Sequence, residues 1–137
     1  MDSSAAVLAD THILLWSLFE PEKLSANARQ AIEAAEAVGD PIWVSAISLI
    51  ELRYLVEKGK FTESDFEQCL AAFDEPDAIL RWAAVNDSIG RRLHEIERDV
   101  VPDMPDRIIA ATASERRVPC LTKDARIQQL KTIRTIW

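Results

Sequence analysis

Four apolar residues, Ala6-Val7-Leu8-Ala9, run into a carboxylate, Asp10, and the chain then resumes as an apolar, helix-like pattern through Thr11-His12-Ile13-Leu14-Leu15-Trp16. A short continuous apolar run reads as a buried strand. A strand buried on both faces suits a parallel sheet. Asp10 then stands at the strand's carboxyl end, where open α/β sheets receive their ligands. The same residue is a preferred N-cap for the helix that follows. Both readings stay open from this stretch alone. What decides between them is how many other acids the chain returns to similar positions.

The chain repeats the pattern. Ser25 is placed to cap a helix expected over 26–38, with Gly39 at its end and Asp40-Pro41 beyond. Ile42-Trp43-Val44 reads as a second strand. Ser45 starts a helix running to Gly59 whose apolar positions crowd more than one face, so it is expected to be well buried. Glu51 lies in its middle, between Ile50 and Leu52. Carboxylates are rarely buried unless paired or metal-bound. Ser48-x-x-Glu51 has the letters of a capping box but sits inside the helical pattern rather than at its start. Glu51 is therefore either a metal ligand facing the same pocket as Asp10 or an outward residue on a helix edge.

Further along, a helix over 63–73 places Phe66, Leu70 and Phe73 at helical spacing as core. A strand over 78–82 follows, then a helix capped by Asn86 or Asp87 and running through Ile96, with His94 at its surface or boundary. The second centre is Pro102-Asp103-Met104-Pro105-Asp106-Arg107-Ile108-Ile109-Ala110-Ala111-Thr112-Ala113. The prolines fix the start of a helix, Asp103 is placed as its N-cap, and Asp106 falls in the first turn, where the helix dipole favours negative charge. Asp106 has no need to cap if Asp103 does. The alanines let this helix approach its neighbours closely. Strand 119–122 is followed by Asp124, either a cap for a short helix over 125–130 or a ligand at a strand's end. A last strand is expected over 132–137.

A chain of 137 residues, 48% hydrophobic, reads as one domain, 1–137, with a sizeable core. Cys69 and Cys120 lie far apart and read as reduced core thiols of a cytoplasmic protein. His12 and His94 make no zinc pattern. Neither a signal peptide nor a membrane-length apolar run is present. The net charge of −7 argues against a protein that holds nucleic acid by charge alone. Residues 1–103 carry nine basic and twenty acidic residues, whereas 104–137 carry seven and three. The basic stretch, with Arg107, Arg116, Arg117, Lys123, Arg126, Lys131 and Arg134, is either a local basic surface or a set of solvated helix faces.

Asp10, Glu51, Asp106 and Asp124 thus recur at strand ends or on helices, and a parallel α/β sandwich can bring them to one sheet edge. Clustered carboxylates repel one another, and a hard divalent cation such as Mg²⁺ relieves that repulsion with oxygen ligands. No phosphate-binding glycine loop, nucleophile elbow or H-E-x-x-H motif competes.

In order along the chain, Leu8-Ala9-Asp10-Thr11-His12-Ile13-Leu14-Leu15-Trp16, Ser45-Ala46-Ile47-Ser48-Leu49-Ile50-Glu51-Leu52, the stretch 103–113 and Leu121-Thr122-Lys123-Asp124 resemble the motifs of PIN-domain ribonucleases, in particular the VapC toxins of toxin–antitoxin pairs. The resemblance implies a three-layer α/β/α sandwich with a central parallel sheet. It also implies Mg²⁺- or Mn²⁺-dependent endoribonuclease activity on an RNA substrate, a cognate antitoxin and a homodimer. It assigns the metal and catalytic positions to Asp10, Glu51, Asp106 and Asp124, with Asp103 an additional acid and Thr11 and Thr122 hydroxyls beside them. Many relatives carry Asp-Pro-Phe-Asp where this chain has Asp103-Met104-Pro105-Asp106; both acids survive, so the difference bears on how the helix starts. The alternative is a PIN-like domain that binds RNA or a partner without cleaving. A phosphotransfer protein of the receiver or haloacid-dehalogenase type fits poorly, for want of a second nearby Asp and a late Lys in matching positions. A purely structural domain leaves the placement of the acids unexplained.

Overall fold

The computed structural model describes residues 4–137. At its centre lie β1 (Val7–Ala9), β2 (Ile42–Ser45), β3 (Leu80–Ala83), β4 (Cys120–Leu121) and β5 (Thr135–Ile136), in the order β3-β2-β1-β4-β5, all parallel. Among the described residues, seven α-helices connect and cover them: α1 (Thr11–Phe19), α2 (Ala26–Val38), α3 (Ala46–Glu57), α4 (Glu63–Asp74), α5 (Asp87–Arg92), α6 (Met104–Arg116) and α7 (Ala125–Gln128).

The apolar opening run becomes the middle strand because both its faces are buried. Leu8 pairs with Trp43 on one side and Cys120 on the other. On its face of the sheet Leu8 packs with Cys120, Ile89 of α5 and Ile109, Ala110 and Ala113 of α6. Val7, Ala9, Ile42, Val44 and Leu121 point the other way, into Ile13 and Leu14 of α1, Ala35 of α2 and Phe66 of α4. Two helical layers therefore sandwich one sheet, as expected. The alanines of α6 are fully buried, and their small size brings that helix close to the strands. α3 bridges the layers at the sheet's carboxyl edge, with Ile47 in one cluster and Leu52 in the other.

Strands are added from β1 outward to β2 and β3, and the chain then crosses to the far side of β1 for β4 and β5. This reversal opens a crevice between the carboxyl ends of β1 and β4, the position at which open α/β sheets bind ligands.

Several boundaries differ from the sequence reading. The helix expected to run through Ile96 stops at Arg92 and tightens into a 3₁₀ turn over Leu93–Glu95. The guanidinium of Arg107 donates to the carbonyls of Leu93 and Ile96, capturing the acceptors there. The last helix and strand are shorter than expected, at Ala125–Gln128 and Thr135–Ile136, and the third strand pairs over Leu80–Ala83 instead of 78–82. α3 is not buried all round: Ile50 and Tyr54 are 53% and 59% exposed. Periodicity marks which side chains are apolar, but not whether anything covers them. Among the described residues, no helix is long and apolar enough to cross a membrane.

Candidate active site

Four separate segments deliver carboxylates to the crevice, and each is fixed by local backbone chemistry. Asp10 follows β1; its N–H donates to the Leu121 carbonyl at 3.2 Å, pinning the strand end to β4. One of its carboxylate oxygens, Oδ1, accepts the Ile13 N–H at 2.9 Å and caps α1. Asp124 follows β4 in the same manner, its Oδ1 accepting from the N–H groups of Arg126 and Ile127 at 2.8 and 2.9 Å. The Thr122 hydroxyl in turn accepts the Asp124 N–H at 2.9 Å. Asp103 caps α6 by accepting the Asp106 N–H at 3.1 Å, which leaves the Asp106 side chain free of capping duty.

Cap and cavity-lining residue are thus not alternatives. A carboxylate has two oxygens and about four acceptor positions, so it can hold its own helix and still present an oxygen elsewhere.

Glu51 is oriented differently, through side chains. Thr11 Oγ1 donates to Glu51 Oε1 at 2.6 Å and lies 2.7 Å from Ser48 Oγ. A hydroxyl has one hydrogen; Thr11 gives its hydrogen to Glu51, so Ser48 must donate to Thr11. Ser48 is fully buried and Thr11 nearly so, which makes this relay a rigid link from the start of α1 to the second turn of α3.

Together these residues line a cavity of about 490 Å³, bounded by Asp10, Thr11, His12, Trp16, Glu51, Asp103, Asp106, Lys123 and Asp124. All four acids singled out from the sequence are there, with Asp103. His12, Trp16 and Lys123 were not singled out as site residues. The signal available was the i, i+4 spacing of His12 and Trp16 on α1, which puts both on one helix face.

Five carboxylates and one ammonium line the cavity, and the electrostatics follow. Burial pushes the Asp10 carboxyl above the ordinary range, against the lowering effect of the Thr122 and Ile13 hydrogen bonds. Burial also raises Glu51, offset by the Thr11 hydrogen bond and reinforced by Asp103. Asp106 is pushed up to about 7, by burial first and then by the charges of Asp103, Asp124 and Glu51. Cys120, beneath the site in β4, is fully buried with its thiol held well above its usual range, and burial raises Cys69 to about 11. Both are free thiols, buried and unreactive.

The donor set is all oxygen, which suits a hard divalent cation. Among the described residues, no three acidic, histidine or cysteine side chains stand in a closed ligand geometry.

The PIN domain family matches residues 7–133, a span that contains every acid of the cavity. Over 133 residues the chain is 32% identical to ribonuclease VapC22 of Mycobacterium tuberculosis, covering 96% of this chain and 98% of that protein. Its fold is similar to a chain in the crystal structure of VapBC2 from Rickettsia felis bound to a promoter DNA fragment, with a TM-score of 0.67 at 17% identity over 95% and 96% of the two chains. A toxin–antitoxin complex from Klebsiella pneumoniae gives 0.63 at 21% identity, over 93% of this chain and 94% of that one. The solved structures speak for the architecture. The family match and the near full-length relative place the chain in the PIN-domain family, alongside the VapC ribonucleases.

Proposed function

We propose that this protein is a divalent-metal-dependent endoribonuclease, the toxin of a toxin–antitoxin pair, using Mg²⁺ or alternatively Mn²⁺. The observation that carries the reading is the convergence of five carboxylates on one cavity with Lys123 as its cation. Such an arrangement is electrostatically costly without a cation: burial first, and the neighbouring carboxylates second, hold Asp10, Glu51 and Asp106 above their ordinary range.

Asp10, Glu51 and Asp106 would hold the cation, directly or through water, with Asp124 assisting and Asp103 near enough to add charge. When bound, a divalent cation activates water and neutralises charge on the phosphate during in-line displacement. The chain's own residues do the positioning. Thr11 and Ser48 fix Glu51, Thr122 supports Asp10 and Asp124, and Lys123 offers its ammonium to a phosphate oxygen. Asp106, near 7 before the cation binds, is the acid that most readily exchanges a proton at neutral pH. This reading places the protein in the cytoplasm with RNA as substrate, a cognate antitoxin as partner and a homodimer as its working form.

The test is cleavage of total cellular RNA by purified, antitoxin-free protein with Mg²⁺, with EDTA and with Asp10→Asn. Asn caps a helix as well as Asp, so the variant keeps its fold and loses the charge. The expected result is discrete fragments that require both Mg²⁺ and Asp10. Absence of cleavage from folded protein under every condition replaces the nuclease with a binding-only PIN domain.

A further inference from the structure

Beside the acids, the cavity has a second kind of wall. His12 and Trp16 stand one helical turn apart on α1, with ring centroids 5.9 Å apart. Trp137, just beyond β5, has its ring centroid 5.9 Å from that of Trp16. The Lys123 ammonium lies 5.8 Å from the Trp16 centroid and 5.9 Å from that of Trp137. Lys123 follows β4, so three distant parts of the chain meet here. Packing explains part of this: Trp16 and Trp137 are half-buried and rest on the core. It does not explain why His12 is exposed at the cavity's rim or why Trp16 lines the cavity. Nor does it explain Lys123. Its ammonium forms no ion pair among the described residues, despite five carboxylates around the same cavity, and is instead set over the indoles.

An aromatic wall with a cation beside it is the arrangement that binds single-stranded nucleic acid: the rings receive a base and the cation receives the neighbouring phosphate. We infer that His12 and Trp16, with Trp137 packed against Trp16, form a stacking subsite for an unpaired base next to the scissile phosphate, with Lys123 holding the adjoining backbone. A base inside a duplex is already stacked on both faces and cannot reach such a wall. The assignment rests on the nuclease reading for the word scissile, but the subsite itself is testable without turnover.

The experiment uses Asp10→Asn protein with Mg²⁺, so that RNA is not consumed. Short single-stranded oligoadenylate is titrated and followed by tryptophan emission, alongside a series in which one nucleotide at a time is abasic. The expected result is saturable quenching, with about tenfold weaker binding when one particular base is removed. Trp16→Leu in the same background loses the same factor for the intact oligonucleotide and nothing further for the abasic one, whereas Trp16→Phe retains most of the affinity. The abasic series needs no change to the wall, so it stands even if Trp16→Leu fails to fold. Equal affinity for intact and abasic oligonucleotides, or no saturable binding, overturns the inference. A base-dependent loss in protein whose unsubstituted form cleaves no RNA supports the subsite and removes the nuclease. Cleavage without a base-dependent loss does the reverse.

Discussion

The Thr11 hydroxyl serves two neighbours at once, giving its hydrogen to Glu51 and its oxygen to Ser48. Removing the hydroxyl leaves the Glu51 carboxylate without its donor and the buried Ser48 without its acceptor. Thr11→Val is therefore expected to destabilise the fold by about 1–3 kcal/mol, by the usual cost of unsatisfied buried polar groups. It should also reduce RNA cleavage; Thr11→Ser should recover most of both, as read by denaturant titration and cleavage assay. Asp106 makes a prediction with the opposite sign. Its carboxyl has an ordinary value of 3.8 and is pushed to about 7 in the fold. Between those values the folded state binds the extra proton, so metal-free stability falls as pH rises through this window, and the penalty is complete above about 7. In the chelated protein, Asp106→Asn should raise the melting temperature at pH 8. The advantage should vanish below pH 4 and cleavage should be lost throughout. A variant less stable than its parent at pH 8 would show that the repulsion does not operate.

At the scale of elements, the crevice is built by helix starts. α1, α6 and α7 each begin with an aspartate capping its own backbone, and α3 begins with Ser45 doing the same. These starts were legible in the sequence because capping chemistry is local: Ser25, Ser45, Asn86, Asp103 and Asp124 cap where their positions suggested. Helix ends were less legible, because tertiary partners set them. Arg107 read as part of a local basic surface or of a solvated helix face, yet its guanidinium spans from α6 to close the 3₁₀ turn after α5. Arg116 is likewise taken up, stacked 3.9 Å from the Trp43 ring centroid. Arg107→Ala is expected to cost about 2 kcal/mol, the loss of charge-assisted hydrogen bonds to carbonyls left behind. Amide hydrogen exchange should then accelerate locally over 93–97, where the turn loosens, with little change in the sheet.

For the molecule as a whole, the order of the strands decides where chemistry is possible. The sequence marks Asp10 and Asp124 as residues at strand ends, but only the pairing of β1 with β4 sets those ends side by side. Trp137 reaches Trp16 only because β5 completes the sheet beyond β4. No local pattern predicts that meeting, which is why the acids were found in advance and the aromatic wall was not. The crowded acids also predict how the entire fold responds to metal. Mg²⁺ or Mn²⁺ at a hundred times its dissociation constant should add about 2.7 kcal/mol at pH 8. The gain should be reversed by EDTA and be much smaller at pH 5.5, where Asp106 is protonated and competes with the ion. Equal shifts at the two pH values in calorimetry would place the ion elsewhere. Finally, three of the acids are helix caps, and as caps asparagine serves as well as aspartate. A single-base change in an aspartate codon yields asparagine. On the proposed assignment, one such step at Asp10 or Asp124 removes activity while the helix start it caps is kept, and one step back restores it. A lineage burdened by a harmful nuclease can disarm it while keeping every surface by which other molecules know it.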